Sequence, residues 1–147
     1  MPEVRVSRRF DASAERVFNA WLDPAMIERF IVGPAVREEE LVHIRVDARV
    51  GGRFSFKVMR GGAAIDHVGT YREIERPRRL VFTWGVDEEQ GDLSVVTIEI
   101  APLSHGCVLT LTHQIDPAWA EYAERTEAGW THITGKLAEA LTAPAPR

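Results

Sequence analysis

Six segments of alternating polarity follow one another between residues 41 and 115, and one long helical pattern comes after them. In the segment at 53–60, for example, the apolar residues Phe54, Phe56 and Val58 occupy alternate positions. This alternation is typical of β-strands with one buried face, because successive side chains point to opposite faces of a sheet. Short turns between the later segments predict antiparallel pairing of neighbouring strands.

An opening strand brings the predicted total to seven, at residues 4–10, 41–48, 53–60, 65–74, 79–86, 94–101 and 107–115. Ser13 predicts the N-cap of a short helix, and Asp23-Pro24 predicts the start of a second one that ends near Phe30. A polar loop is predicted at 88–92. We expect the first strand to lie beside the last.

The same alternation predicts which face of each late strand is buried. The residues expected in the core are Phe54, Phe56, Leu80, Phe82, Trp84, Val96, Ile98, Leu109 and Leu111. Those expected outside it are Arg53, Lys57, Thr97 and Glu99. A shift of one residue in any strand would invert its prediction, so each strand tests the register separately.

The final pattern predicts a helix from Asp116-Pro117 to about Leu141. Its apolar residues recur every three or four positions: Trp119, Ala123, Thr126, Trp130, Ile133, Leu137 and Leu141. About 25 helical residues would extend roughly 37 Å, enough to cross a whole domain. A twisted seven-stranded sheet curls, and its concave face is where such a helix can bury an apolar stripe. The predicted fold class is therefore α+β, with a curved antiparallel sheet around the C-terminal helix and two short helices between strands one and two.

Length and composition favour a cytoplasmic protein of one domain at residues 1–142, with a frayed tail at 143–147. The formal charge of −4 argues against a nucleic-acid partner, and no apolar run approaches the ~20 residues of a membrane span. The N-terminus has no apolar signal core. The single cysteine, Cys107, excludes an intrachain disulfide and fits a reducing compartment.

Five pieces of the chain form a recognisable set: FDASAERVFNAWLDP (10–24), DARVGGRFSF (47–56), GTYREIERPRRLVFTW (69–84), GCVLTLTH (106–113) and Gly129-Trp130. Together they resemble the activator of heat-shock-protein-90 ATPase homologue family, in its bacterial branch. They occur in the family's order along nearly the whole chain. The family belongs to the START-like (SRPBCC) superfamily, so the resemblance implies a helix-grip fold with an internal apolar cavity. One departure is Phe30-Ile31-Val32, where many members have a tryptophan.

The sequence has no motif that predicts a catalytic, metal or cofactor site. Its five histidines show no metal-ligand spacing, and GxSxG, P-loop and dinucleotide-binding patterns are absent. His113 is the histidine of most interest because it shares a strand face with Leu109 and Leu111. Three interpretations stay open for it: a hydrogen-bonded core histidine, a polar group that orients a ligand, or a general acid-base. Cys107 has no basic neighbour in sequence and is predicted to be inert.

Two further positions bear on the cavity. Alternation places Tyr71 and Glu73 on the same strand face as Gly69. If that face is concave, they give the pocket a hydroxyl and a carboxylate. If it is convex, Glu73 is a solvated residue; the structural role is favoured, with Arg76, Arg78 or Arg79 as the expected partner. Gly129 lies in the middle of the predicted helix, where glycine costs ~1 kcal/mol relative to alanine. A glycine there suggests close approach by another element or by a ligand.

We therefore expect a small binding module that holds a hydrophobic or amphipathic molecule between the sheet and the last helix. The candidate cavity residues are Phe54, Phe56, Tyr71, Phe82, Trp84, His113, Trp130 and Ile133. One alternative is a protein-interaction module with a chaperone or homodimer contact, as the family resemblance implies. A second is a cyclase or hydrolase that uses the same cavity. An open pocket of roughly 300 Å³ or more favours binding, a filled core favours interaction, and a strongly perturbed His or Glu favours catalysis.

Overall fold

The computed structural model describes residues 3–86 and 94–142, which form eight strands, three α-helices and a 3₁₀-helix. The strands are β1 Glu3–Phe10, β2 Glu40–Val46, β3 Arg53–Arg60, β4 Ala63–Glu75, β5 Arg79–Thr83, β6 Gly85–Val86, β7 Val95–Pro102 and β8 Cys107–Gln114. The helices are α1 Ala14–Ala20, α2 Pro24–Phe30, the 3₁₀-helix Pro117–Tyr122 and α3 Ala123–Thr142. The predicted loop at 88–92 and tail at 143–147 lie outside the described residues.

The strands form one antiparallel sheet in the order β1-β8-β7-β5-β4-β3-β2, with the two-residue β6 paired to β4. The first strand lies beside the last, from Glu3 opposite Gln114 to Phe10 opposite Cys107. Helices α1 and α2 connect β1 to β2, and α3 packs against β1 and α2. The predicted α+β, helix-grip arrangement is confirmed.

The predicted strand at 79–86 is interrupted at Trp84. The Oγ1 of Thr83 accepts the Thr70 backbone N–H at 2.8 Å, so a side chain replaces a carbonyl in the ladder. The Trp84 backbone N–H turns to Ser94 instead and donates to its carbonyl oxygen at 3.0 Å. Trp84 and Ser94 are thus bonded to each other at the end of the paired strands β5 and β7.

The buried faces follow the predicted register. Every residue expected in the core is buried except Trp84, which is half-buried. Arg53 and Glu99 are exposed, and Lys57 and Thr97 are half-buried. The alternation of polarity was therefore sufficient to orient β3, β7 and β8, whereas both faces of β5 are buried and its burial does not test the prediction.

The alternation fails in β4, where Tyr71 and Glu73 do not share a face. A register shift lies between them: Tyr71 pairs with Phe82, and Glu73 then pairs with Val81. A bulge inserts one extra residue and reverses the direction of the side chains that follow it. Tyr71 is consequently buried and Glu73 exposed, where the Glu73 carboxylate lies 3.4 Å from Arg79 Nη2. The pairing expected for Glu73 is present, with Arg79 as the partner.

The helix starts behave as predicted, but the last helix does not begin as an α-helix. Side-chain oxygens of Ser13, Asp23 and Asp116 accept backbone N–H groups at 3.2, 3.0 and 2.8 Å. After Asp116, however, the chain forms a 3₁₀-helix with no buried residue, and Trp119 is 39% exposed. Prediction placed Trp119 in the apolar stripe that meets the core. This segment lacks the packing partner that stabilises an amphipathic α-helix, and the buried part of the stripe begins at Trp130.

A buried carboxylate ties the α2–β2 connection to the sheet. The side chain of Glu39 is fully buried and accepts hydrogen bonds from the Gly33 backbone at 2.7 Å and from Arg60 Nη2 at 2.6 Å. Arg37 Nη1 lies 3.3 Å from its second oxygen. Burial alone would raise the pKa of Glu39, but the hydrogen bonds from Gly33 and Arg60, with the arginine charges, lower it overall. No sequence signal predicted this contact, because two of its partners, Gly33 and Arg60, are 6 and 21 residues away.

Candidate ligand-binding site

An apolar pocket of about 380 Å³ opens between the ends of strands β5, β7 and β8 and the first half of α3. Its walls come from the β5–β6 junction, the start of β7, the end of β8, the 3₁₀-helix and α3. Four aromatic side chains dominate the lining: Trp84, Trp119, Tyr122 and Trp130. The volume lies within the 300–1,000 Å³ that small-molecule sites occupy.

The eight predicted cavity residues divide into two groups of four. Trp84, His113, Trp130 and Ile133 line this pocket. Phe54, Phe56, Tyr71 and Phe82 lie deeper, around a void of about 10 Å³ that Trp84 and Trp130 also line. That void has at most room for a single water molecule, so the inner part of the concave face is filled core.

The inner group is filled by its own aromatic rings. The centroids of Phe54 and Phe56 are 4.8 Å apart and nearly parallel, and Phe82 meets Phe54 edge-on at 5.6 Å. Tyr71 adds a third contact to Phe54 at 5.4 Å. These separations are typical of favourable aromatic pairs, and they leave the open volume to the outer end of the fold.

Trp21 adds a buried polar atom to the inner void. The residue is 3% exposed, lines the void and lies with its ring 6.4 Å from that of Trp130. Among the described residues, no acceptor lies within hydrogen-bond distance of its Nε1. A buried N–H group without a partner costs about 1–3 kcal/mol. Trp21, a lining residue of the inner void, therefore carries a buried hydrogen-bond donor that the core leaves unused.

A directed chain of hydrogen bonds crosses the inner end of the pocket. Trp130 Nε1 lies 2.9 Å from His113 Nδ1, and His113 Nε2 lies 2.9 Å from Ser94 Oγ. The Ser94 hydroxyl donates in turn to the carbonyl oxygen of Trp84. Because an indole N–H can only donate, Nδ1 must accept, and the proton of a neutral imidazole must be on Nε2. His113 therefore donates to Ser94.

The environment of His113 keeps it neutral at pH 7. The side chain is 5% exposed, and burial lowers its pKa from 6.5 to about 4. Of the three interpretations open for His113, the structure shows a core histidine bonded at both ring nitrogens, which also lines the pocket. Its Nδ1 accepts from Trp130 and its Nε2 carries the proton, so neither ring nitrogen has a free lone pair for accepting another proton.

The contact between Ser94 and His113 was not predicted, although the pair resembles a nucleophile with its base. The direction of this hydrogen bond is opposite to what that chemistry needs, because His113 Nε2 carries a proton and cannot take one from Ser94. The Ser94 proton points to a carbonyl oxygen. A sequence signal for Ser94 existed: the alternation of Ile98 and Val96 reaches Ser94 at the next step back along the strand.

Further pocket residues that sequence reasoning missed lie at the mouth. Trp119 and Tyr122 of the 3₁₀-helix have their ring centroids 5.6 Å apart, and each is more than a third exposed. The guanidinium carbon of Arg125 lies 5.7 Å from the Tyr122 ring centroid. Asp116 and Thr126 complete the polar groups of the rim. The irregular turn at 116–122 brings these side chains to the pocket, and a regular helical pattern does not reveal that placement.

Gly129 lines the pocket without a close neighbour. A β-carbon built on it meets no heavy atom within 4 Å. Of the two explanations for a mid-helix glycine, close approach by another protein element is therefore wrong. The glycine leaves space that belongs to the pocket.

Cys107 lies outside the pocket lining and is fully buried. Burial raises the pKa of its thiol, which disfavours the reactive thiolate. Within residues 3–86 and 94–142, no group of three or more His, Cys, Asp or Glu side chains is placed to hold a metal ion. The described part of the chain also contains no helix with both the length and the apolar character needed to cross a bilayer.

A curved antiparallel sheet that grips a C-terminal helix, with an apolar pocket at one end, defines a START-like module. The family model described as "Activator of Hsp90 ATPase homolog 1-like protein" matches residues 11–142. The chain therefore belongs to this family, as its sequence motifs indicated. No curated protein matches the chain.

Solved structures from bacteria share this fold along their whole length. Protein CV1439 from Chromobacterium violaceum is 26% identical, with a TM-score of 0.81 and coverage of 97% of this chain and 98% of that one. An AHSA1-like protein from Aeromonas hydrophila is 24% identical, with a TM-score of 0.78 and coverage of 99% and 97%. Protein NE0264 from Nitrosomonas europaea is 19% identical, with a TM-score of 0.80 and coverage of 95% and 94%. The likenesses below 25% identity carry the fold alone.

Proposed function

We propose that this protein is a small binding module that holds a hydrophobic or amphipathic molecule in the pocket between the strand ends and α3. The observation that carries the proposal is the open volume of about 380 Å³ within an aromatic wall. Apolar surface exposed in a concave site gains free energy when a ligand removes it from water. The few polar groups of the lining suit orientation of a ligand.

The direction of the hydrogen bonds at His113 supports a binding function over hydrolysis in this pocket. The His113 pKa of about 4 is strongly perturbed, which by itself would favour a catalytic role. However, the Trp130 indole occupies Nδ1, and the Nε2 proton points at Ser94. A histidine bonded in this way holds its neighbours in position and does not activate the Ser94 hydroxyl.

A neutral fluorescent probe, N-phenyl-1-naphthylamine, should bind at one site per chain and change the tryptophan emission. Three of the four tryptophans line the pocket, so a probe there lies close to most of the emitting indoles. At about 100 times its dissociation constant, a ligand that binds only the folded state adds ~2.7 kcal/mol of stability. For a domain of this size we expect a melting shift of several degrees.

Gly129 offers a matched pair of variants for this test. Gly129→Leu should project a side chain into the pocket and weaken probe binding at least tenfold, which is about 1.4 kcal/mol. Gly129→Ala adds one methyl group where no heavy atom lies within 4 Å. It should keep most of the affinity while raising stability by about 1 kcal/mol through helix propensity. Titration of both variants and thermal melts of the free proteins provide the measurements.

The protein-interaction alternative rests on the exposed aromatic pair Trp119 and Tyr122 at the pocket mouth. Exposed aromatic residues beside a cleft are also a feature of protein interfaces. If the wild-type protein binds neither this probe nor any member of a broad set of sterols, fatty acids, flavonoids and polyketides, the interaction module becomes the better proposal. Unchanged affinity in Gly129→Leu would place the bound probe elsewhere.

A further inference from the structure

We infer that the hydroxyl oxygen of Ser94 accepts a hydrogen bond from the ligand at the inner end of this pocket, so the site selects hydrophobic molecules that carry a hydroxyl or N–H group. The inference rests on the proposed binding function and specifies its ligand class. It predicts that an aromatic alcohol binds better than the matched ether, although the ether is the more apolar molecule.

The direction of the hydrogen-bond chain is set at Trp130. Its Nε1–H is a donor without acceptor capacity, and it lies 2.9 Å from His113 Nδ1. The Nε2–H of His113 is then committed to Ser94 Oγ at 2.9 Å, and the Ser94 hydroxyl proton is committed to the Trp84 carbonyl. Every side-chain N–H and O–H group of Trp130, His113 and Ser94 is thus donated within the protein.

The hydrogen-bonding capacity that remains on Ser94 Oγ and on the Trp84 carbonyl oxygen consists of lone pairs. A serine hydroxyl has two lone pairs, and His113 uses one of those on Ser94. The Trp84 carbonyl oxygen also has two, and the Ser94 proton uses one. Both Ser94 and Trp84 line the pocket. A ligand hydroxyl or N–H can donate to the free lone pair of Ser94 Oγ, whereas a ligand ether or ketone would bring its own lone pairs against it.

Two side-chain donors, on Arg125 and Tyr122, lie at the opposite end of the pocket, on the rim. Arg125 and Tyr122 are exposed and remain accessible to water, so they add little discrimination. Ser94 is half-buried, and its partner His113 and the next residue of the hydrogen-bond chain, Trp130, are 5% and 3% exposed. A polar contact at this less exposed end is worth more than one at the rim, because an unpaired group there turns to solvent less easily.

The test compares 2-naphthol with 2-methoxynaphthalene, which share a ring system and differ in the hydroxyl proton. Displacement of N-phenyl-1-naphthylamine at pH 7 should give 2-naphthol roughly a fivefold to tenfold lower dissociation constant, as expected for one neutral hydrogen bond. Ser94→Ala should bring the ratio of the two constants close to one. A wild-type ratio of one, or a ratio that Ser94→Ala leaves intact, would overturn the inference while the binding function stands.

The tautomer of His113 provides a readout that does not depend on any ligand. Long-range ¹H–¹⁵N correlation spectra should show the proton of His113 on Nε2 in the wild-type protein. In Trp130→Phe the donor to Nδ1 is removed, so a mixture of tautomers should appear and the preference for 2-naphthol should fall. A proton on Nδ1 in the wild type would overturn the inference. If neither naphthalene binds the wild type, the proposed function and the preference both fail, even where the tautomer is as expected.

Discussion

Replacing Gly69 by alanine should cost about 3 kcal/mol of stability or more, which is a large fraction of the 5–15 kcal/mol typical of a domain. A β-carbon built on Gly69 would lie 1.9 Å from the Thr83 carbonyl oxygen and 2.5 Å from Cζ of Phe54. Neither neighbour can move away easily. Thr83 belongs to the paired strand β5, and Phe54 is held between the rings of Phe56 and Phe82.

Urea unfolding and thermal melts measure this effect, with Gly129→Ala as the control. Both variants add one methyl group to a glycine, but the β-carbon at Gly129 meets no heavy atom within 4 Å. The melting temperature of Gly69→Ala should fall by roughly 6–12 °C, since 1 kcal/mol shifts a domain of this size by about 2–4 °C. A loss below about 1 kcal/mol would mean that the close contact between β4 and β5 is absent in solution.

Acidification should remove about 3 kcal/mol of stability through His113 alone. The pKa of His113 is about 4 in the folded protein, below its ordinary value of 6.5. Between these values the unfolded chain binds the proton more readily, so stability rises with pH. The contribution is complete above pH 6.5 and is lost as the pH falls towards 4. The difference of 2.5 pH units at 1.36 kcal/mol each gives the expected magnitude of about 3 kcal/mol.

His113→Gln separates this effect from other titrations. Glutamine cannot gain a proton in this range, but its amide can accept from Trp130 and donate to Ser94. Urea unfolding at pH 7 and pH 4 should therefore show a loss about 3 kcal/mol larger in the wild type than in the variant. His67 also has a lowered pKa, through burial, and remains in both proteins, so its contribution cancels. Equal losses in the two proteins would contradict the neutral state assigned to His113.

Local pattern was enough to predict the elements and most of the core. In strands such as 53–60 and 107–114, side chains alternate between the two faces at every residue, whichever strand pairs with them. Phe54 and Leu111 could therefore be assigned to the core directly. The capping residues Ser13, Asp23 and Asp116 act through contacts two or three residues away, which are equally local. The family resemblance then supplied the helix-grip arrangement that these elements adopt.

The pattern failed where one residue is added or a partner is missing. The bulge before Glu73 reverses a strand face without changing the polarity of its sequence. Trp119 fits the helical stripe, yet no core lies beneath it, and its segment becomes an exposed 3₁₀-helix at the pocket mouth. Both outcomes depend on elements distant along the chain. The period of apolar residues in the sequence carries no information about them.

The division between sequence and tertiary structure is clearest among the cavity candidates. The sequence by itself determined that Phe54, Phe82, Trp84 and Trp130 are large apolar residues facing a common interior, because face and period follow from local geometry. Only the packing of sheet against helix decided that the first two fill the core and the last two border open space. The chain Trp130–His113–Ser94 likewise joins residues 17 and 19 positions apart. The direction of these hydrogen bonds is set by the contact between Trp130 and His113, which exists only once β7, β8 and α3 have come together.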